Sequence, residues 1–269
     1  MENRASLKIC ALGSLYNGER PNYLYDCLNS LRNQTLKIPI ILVIDGPISK
    51  SLEEVLASFK DLKIRLIRNK INKGLSYSLQ SALNLISNEF EYAIRFDSDD
   101  INSKKRFEVL AEFLKESNVD LVSSHMHEID EAGKIFSKRV VPISHKSIKK
   151  RIPYRNPINH PASAFKISSV KSVKGYQEMP FFEDWYLWIR MINAGFKAAN
   201  IDDYLVFFRA TDEMLYRRYG FPYLKNEAHF FKRRAKEKLI NPIENWLAFF
   251  LRVLSKLLGF NFFKKIYFF

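Results

Sequence analysis

The residues best equipped for chemistry are Asp97, Asp99 and Asp100, three carboxylates in Phe96-Asp97-Ser98-Asp99-Asp100 at the end of the apolar run Tyr92-Ala93-Ile94-Arg95-Phe96. Carboxylates at this density repel one another and require a cation. In an extended segment alternate side chains share a face, so Asp97 and Asp99 are expected on one side, about 7 Å apart along the strand. Such a pair suits one hard divalent ion. Oxygen ligands favour Mg²⁺ or Mn²⁺, and Mg²⁺ completes its shell with water and substrate phosphates, so the spacing implies a phosphorylated ligand. The competing reading is an acidic turn that caps a helix starting near Ser103.

A second group is Phe181-Phe182-Glu183-Asp184-Trp185. Its two acids open the helical pattern Leu187, Trp188, Met191, Ile192, where backbone N–H groups and the helix dipole favour negative charge, so capping is one reading. The aromatic neighbours supply another, because a carboxylate among apolar rings has its pKa moved toward that of a general base. His125 and His127, with Glu128 and Asp130 nearby, lack a third ligand at a recognised spacing and read as a polar strand face. Gly13-Ser14-Leu15-Tyr16-Asn17-Gly18 is neither a Gly-x-Gly-x-x-Gly fingerprint nor an ATPase loop, which disfavours a dinucleotide cofactor and ATP hydrolysis.

The elements that must position these groups are legible in the hydrophobic pattern. Residues 7–12, 39–45, 64–67 and 92–97 read as strands, and 119–123 as a further one. Between them lie helical spacings: Leu24, Cys27, Leu28, Leu31 after Pro21; a short helix after the capping-box spacing Ser51 to Glu54; Leu79, Ala82, Leu83, Ile86; and Phe107, Leu110, Ala111, Leu114. This alternation predicts an α/β fold with a mainly parallel sheet flanked by helices, whose ligands bind beyond the carboxyl ends of the strands. Asp45 and Asp97 both stand at such ends, so one pocket is expected to hold both. The later part is less regular, with a hairpin turning at residues 131–134, Pro-interrupted loops from 142 to 161, a helix over 183–193 stopped by Gly195, and a strand over 204–209.

At 269 residues with a net charge of +14, the chain is expected to hold one α/β unit with an elaborated second half. The division expected is one body over 1–215, with halves 1–125 and 126–215, followed by a basic aromatic tail over 216–269. Two cysteines are too few for a disulfide framework, and Met1-Glu2-Asn3-Arg4 opens no secretory leader, so a cytoplasmic protein is expected. No run reaches the roughly 18 apolar residues of a spanning helix. Residues 225–269 carry ten Lys or Arg against three Glu. There Ile243, Trp246, Leu247, Phe250, Val253, Leu254, Leu257 and Leu258 share one helical face, opposite Asn245, Arg252 and Ser255. Phe260, Phe262, Phe263, Tyr267, Phe268 and Phe269 follow, interleaved with Lys264 and Lys265. This pattern predicts an amphipathic helix in a membrane interface; the alternative is a helix packed on the catalytic domain.

Taken together the motifs resemble a family 2 glycosyltransferase of GT-A nucleotide-sugar fold, of the kind that builds bacterial surface polysaccharides such as O-antigen. The resemblance covers about residues 7 to 210 and implies a catalytic domain over 1–215, with a nucleotide-binding half 1–125 and an acceptor-binding half 126–215. Ser14-Leu15-Tyr16-Asn17 is similar to the family's Pro-Thr-Tyr-Asn, Ile44-Asp45-Gly46-Pro47 to its Asp-Asp-Gly-Ser, and Asn72-Lys73-Gly74 to its Asn-x-Gly. Arg95 through Asp100 resembles its Asp-x-Asp-Asp strand end. Asn159-His160-Pro161 with Phe165-Lys166 resembles its His-Pro and Phe-Arg/Lys pair, and Glu183-Asp184-Trp185 its Glu-Asp dyad.

The resemblance implies roles. Ser14, Tyr16, Asp45, Asp97, Asp99, Lys73 and Arg95 would bind the donor, with Tyr16 stacking on the base, Asp45 accepting from its ring N–H and Asp97 holding the ribose. Asp99 would bind Mn²⁺ or Mg²⁺ across the diphosphate, supported by Asp100. Asp184 would be the catalytic base, with His160, Glu183 and Trp185 in support and Arg106 as a further diphosphate or sugar contact. One base and one displacement imply inversion at the anomeric carbon. The implied partners are a nucleotide sugar, expected to be UDP-linked galactose, glucose or N-acetylglucosamine, and a lipid-linked glycan at the inner face of the cytoplasmic membrane, with no nucleic acid. Two other classes compete: a metal-dependent phosphodiesterase or nuclease, which predicts a basic groove beside the acids, and a non-catalytic membrane- or nucleic-acid-binding module, which leaves Asp97, Asp99 and Asp184 unexplained.

Overall fold

The computed structural model describes residues 7–257, 260 and 264. Its first half alternates β1 (Ile9–Leu15), α1 (Pro21–Arg32), β2 (Ile40–Ile44), α2 (Lys50–Ser58), β3 (Ile64–Arg68), α3 (Leu75–Ile86) and β4 (Tyr92–Arg95). There follow β5 (Ile101–Asn102), α4 (Arg106–Glu116), the hairpin strands β6 (Leu121–Ile129) and β7 (Ile135–Arg139), α5 (His145–Arg151), a 3₁₀ turn His160–Ala162, β8 (Ala164–Lys166), α6 (Ile167–Ser172), α7 (Glu183–Asn193), β9 (Ala198–Arg209), α8 (Asp212–Arg217), α9 (Phe221–Lys236) and α10 (Pro242–Leu257). One sheet runs in the order β3-β2-β1-β4-β8-β6-β9-β5, with β7 added on β6. β1 to β4 are mutually parallel, β8 is antiparallel to both β4 and β6, and β9 runs parallel to β6.

The period-two alternation of the central strands divides the core between the two faces of the sheet. Cys10, Leu12, Ile41 and Val43 face one cluster, with α3 and α7; Ile9, Ala11, Leu15, Ile40, Leu42 and Ile44 face the other, with α1 and α4. Two local expectations change. The α2 cap is Ser49, whose hydroxyl accepts the Leu52 N–H at 3.4 Å, rather than Ser51. β4 stops at Arg95, so residues 97–100 form a turn instead of an extended strand end. Gly13 lies against the Phe96 ring, and a side chain on Gly13 would overlap that ring, so β1 must be bare here for the turn to seat.

The C-terminal helices pack on this body. Phe230 of α9 stacks on Phe182 and lies beside Trp185, and Arg234 sits 4.0 Å over the Phe231 ring. α10 turns its polar side inward: Asn245 and Lys256 are buried, while Trp246 is 66% and Leu257 73% exposed. Of the expected apolar face Ile243, Trp246, Leu247, Phe250, Leu254 and Leu257 are exposed and Val253 is half-buried, while Asn245 on the polar side meets the protein. Leu258, Phe262, Phe263, Lys265, Tyr267, Phe268 and Phe269 lie outside the described residues. No helix among the described residues is long and apolar enough to cross a membrane.

Candidate active site

Tyr16 and Asp45 directly follow the carboxyl ends of β1 and β2, and Asp97 comes two residues after the end of β4; the three strands are neighbours in the sheet. The aspartate turn closes with the Asp100 N–H on the Asp97 carbonyl at 3.4 Å. It gathers carboxylate oxygens of Asp97, Asp99 and Asp100 within 4.8 Å of one another, so the turn, and not strand alternation, brings them together. Arg95, buried below, donates to the Asp97 carboxylate and to the Leu12 carbonyl. It therefore positions Asp97 and presents no surface to a donor. Asp100 Oδ1 accepts the Arg209 N–H at 2.8 Å; its Oδ2 is buried with no donor among the described residues. Burial first, then the charges of Asp97 and Glu19, push Asp99 up to about 7. Asp100 is also held well above the ordinary carboxylate range, by burial and then by the charge of Asp99. A carboxylate trio that is costly to ionise together and includes an unmatched buried oxygen fits a hard divalent cation.

Asp45 is also buried, and both its oxygens accept hydrogen bonds: Oδ1 from Asn69 Nδ2 at 3.0 Å and Lys73 N at 2.9 Å, Oδ2 from Gly74 N at 2.8 Å. It thereby holds the 69–74 loop over the sheet end, up to Gly74, the residue that precedes α3. Gly46, at φ +86° and packed against the Asn72 backbone, permits that approach. Lys73, held so, reaches Tyr77 Oη at 3.1 Å.

A cavity of about 1270 Å³ begins at Lys73, Gly74 and Asp97 and passes His160, Glu183, Asp184 and Trp185. Asp45 borders it only through the loop it holds, so the expected shared pocket contains Asp97 without Asp45. Glu183 and Asp184 open α7, as the sequence predicts. Asp184 accepts from Asn156 Nδ2 at 2.7 Å and from the Trp185 N–H at 2.7 Å. Burial raises it to about 6, opposed by those two hydrogen bonds and by Arg218; burial and then Asp184 raise Glu183 to about 7. Trp185 is anchored through Nε1 on the Ile152 carbonyl at 2.9 Å. His160 pairs with Tyr176 Oη at 2.8 Å, and burial followed by the Arg95 charge holds its pKa well below the ordinary value, leaving the ring neutral.

Other assignments are settled by burial. Arg106 is wholly enclosed, with Nη2 on the carbonyls of Arg95 at 2.5 Å and Pro161 at 2.6 Å, so it ties β4 to the 3₁₀ turn and touches no ligand. His125 pairs with Asp202 at 3.1 Å and His127 stacks on Tyr204 at 4.5 Å, a polar strand face. Ser14 is half-buried near the end of β1 and Tyr16 is exposed just past it. Sequence reasoning does not find three residues that build the site. Glu19 accepts the Ser98 hydroxyl at 2.8 Å beside the aspartates; Asn156 holds Asp184; Arg209 reaches the Asp99, Asp130 and Glu131 carbonyls. Each acts across a long stretch of chain, and none stands in a local pattern that would reveal it.

The sequence profile of Glycosyl transferase family 2 matches residues 14–174. The amylovoran biosynthesis glycosyltransferase AmsE of Erwinia amylovora is 34% identical over 249 residues, 91% of this chain and 92% of that protein. The UDP-Gal:alpha-D-GlcNAc-diphosphoundecaprenol beta-1,3-galactosyltransferase of Escherichia coli is 33% identical over 233 residues, 84% of each. Among solved structures, S. aureus TarS 1–349 in complex with UDP-GlcNAc superposes with a TM-score of 0.60 at 18% identity, covering 84% of this chain and 66% of that one, a likeness of fold.

Proposed function

Because the chain belongs to glycosyl transferase family 2, we propose that it is a metal-dependent, inverting hexosyltransferase of bacterial surface polysaccharide synthesis. It moves galactose, glucose or N-acetylglucosamine from a UDP donor to a hydroxyl of a lipid-linked glycan. The observation that carries this reading is the single cavity joining Asp97, at the metal-binding turn, to Asp184, a buried carboxylate raised to about 6. The TarS complex supports a UDP donor, and the name of the E. coli relative supports both UDP-galactose and a diphosphate-linked lipid acceptor.

In this mechanism Tyr16 stacks on the base, and Asp45 acts from beneath by fixing the loop of Lys73. Asp97, aligned by Arg95, holds the ribose; Ser14 lines the end of β1 beneath it. Asp99, supported by Asp100, would hold Mn²⁺ or Mg²⁺, which when bound neutralises charge on the departing nucleoside diphosphate. Asp184 takes the proton of the acceptor hydroxyl as it attacks the anomeric carbon from the face opposite the leaving group, which inverts that centre. Asn156 and the Trp185 N–H keep Asp184 oriented and ionised, while Glu183, His160 and Trp185 exclude water around it. The decisive assay supplies UDP-galactose, UDP-glucose and UDP-N-acetylglucosamine with Mn²⁺ and a polyprenyl-diphosphate-linked sugar. One donor is expected to give a β-linked product, and no transfer from any of them would sink the reading.

The exposed face of α10 supports a position for this enzyme at the inner surface of the cytoplasmic membrane. Ile243, Trp246, Leu247, Phe250, Leu251, Leu254 and Leu257 are all exposed along it, and a contiguous apolar face of this size on a basic segment suits a bilayer interface. In vesicle flotation the parent chain is expected to rise with anionic liposomes, and a Trp246→Glu, Phe250→Glu, Leu254→Glu variant to stay in the dense fraction. Equal flotation of the two would remove the membrane assignment.

A further inference from the structure

Among the described residues three non-glycine positions hold a positive φ: Lys174 at 66°, Lys238 at 54° and Phe181 at 69°. Two have a local reason. Lys174 and Lys238 each come two residues after the last residue of a helix, α6 and α9, where a left-handed residue is the ordinary way to close the last turn. Phe181 instead precedes a helix. It stands in a turn closed by the Phe182 N–H on the Met179 carbonyl at 2.8 Å, with Pro180 and Phe181 as the central residues. Proline followed by a positive φ is the type II pattern, whose second central place favours glycine or asparagine. A bulky aromatic there is strained, because its Cβ crowds the following carbonyl oxygen.

The strain does not serve the core. Phe182 is 2% exposed and stacks on Phe230, whereas Phe181 is 45% exposed and lines the cavity, tilted against the Tyr223 ring at 5.1 Å. Apolar area left open gains nothing from folding, and a local rule broken without a packing gain marks a functional position. The ring therefore acts on what enters the cavity. Its place along the chain selects that ligand: Phe181 is three residues before Asp184, in the turn that leads into α7. Asp184 is the base for the acceptor hydroxyl in the mechanism above, so the sugar carrying that hydroxyl lies within hydrogen-bond reach of it. A hexopyranose has a face of axial C–H groups, apolar and slightly positive, which matches the negative face of an aromatic ring.

Resting on the reading of a glycan acceptor, we propose that Phe181 is the platform on which the acceptor's terminal sugar stacks, with its hydroxyl turned to Asp184. The donor's sugar has the same chemistry, so the test separates the two. Phe181→Gly and Phe181→Asn suit the positive φ and remove the ring, whereas Phe181→Tyr keeps it. Glycine and asparagine are expected to hold or raise the melting temperature, since the strain is relieved. The full chain is saturated with UDP and Mn²⁺, and the methyl glycosides of glucose, galactose and N-acetylglucosamine are titrated by saturation-transfer NMR. The parent and Phe181→Tyr are expected to bind at least one of them, and the other two variants to bind it roughly tenfold more weakly. In calorimetry the UDP-linked sugars are expected to bind all four proteins alike. No glycoside bound by the parent, or equal binding by Phe181→Gly and Phe181→Asn, overturns the platform. So does weakened binding of a UDP-linked sugar with UDP itself unchanged, which gives the ring to the donor. A fall of several degrees in melting temperature in both variants overturns it too, because the ring is then a packing group. The two readings fail separately: Phe181-dependent glycoside binding supports the platform even where no sugar is transferred, and transfer by Phe181→Gly with an unaltered acceptor KM removes the platform alone.

Discussion

Replacing Asp184 by Asn is expected to lower kcat for sugar transfer by roughly 10²–10⁴-fold, the range over which a positioned base contributes, while UDP–Mn²⁺ binding persists. The amide keeps the size of the side chain and the acceptance from Asn156, but it cannot take a proton. The same group fixes the sign of the pH dependence. Asp184 is raised to about 6, mainly by burial, and it must be ionised to act. Activity of the parent should therefore fall as pH drops through about 6 and level off above it. Glu183, raised to about 7, is the neighbour that could serve instead. Transfer by the Asp184→Asn variant within tenfold of the parent would move the base to Glu183 or elsewhere.

Asp99→Asn should remove the response to Mn²⁺ and reduce transfer by roughly 10³-fold, since a metal supplies several kcal/mol of charge stabilisation to a departing phosphate. Asp99 is distinguished from Asp97 by its surroundings. The Asp97 carboxylate is already matched by the buried Arg95 guanidinium, whereas Asp99 is pushed up by burial and by the charges of Asp97 and Glu19. A divalent ion relieves the second situation more than the first. The check is a Mn²⁺ titration of activity together with UDP calorimetry with and without the ion. Retained Mn²⁺ stimulation would assign the ligand to Asp97 or Asp100.

The parts of the fold legible in the sequence are those whose signals are local. α3 and α7 occupy the ranges that their apolar spacing predicts, Leu75–Ile86 and Glu183–Asn193, because clean periodicity and their flanking residues agree. The end of β4 is not legible. Phe96 extends the apolar run, but its ring is drawn across β1 onto Gly13, and the following residues are bent into a turn held by Arg209 from the far end of β9. The site divides the same way. Asp97, Asp99, Glu183 and Asp184 stand in dense acidic groups visible in any window of the chain. Asn156 and Glu19 gain their roles from partners 28 and 79 residues away, and Asp45 from a loop that local spacing does not connect to it. α10 is the instructive intermediate. Its two faces are readable, yet which one meets the protein depends on Glu227 lying fully buried beneath it.

That carboxylate has a consequence for direction. Glu227 is enclosed and accepts hydrogen bonds from Lys256 at 2.7 Å and from Arg252, one turn apart on α10. Rolling the helix to bury Trp246 would strand the anion, and breaking a buried ion pair from one side costs about 3–5 kcal/mol. The helix is thus indexed, like a key with one slot, and its rotation about its own axis is not a free variable. Whatever surface it lies on, the body of the protein meets that surface at one heading.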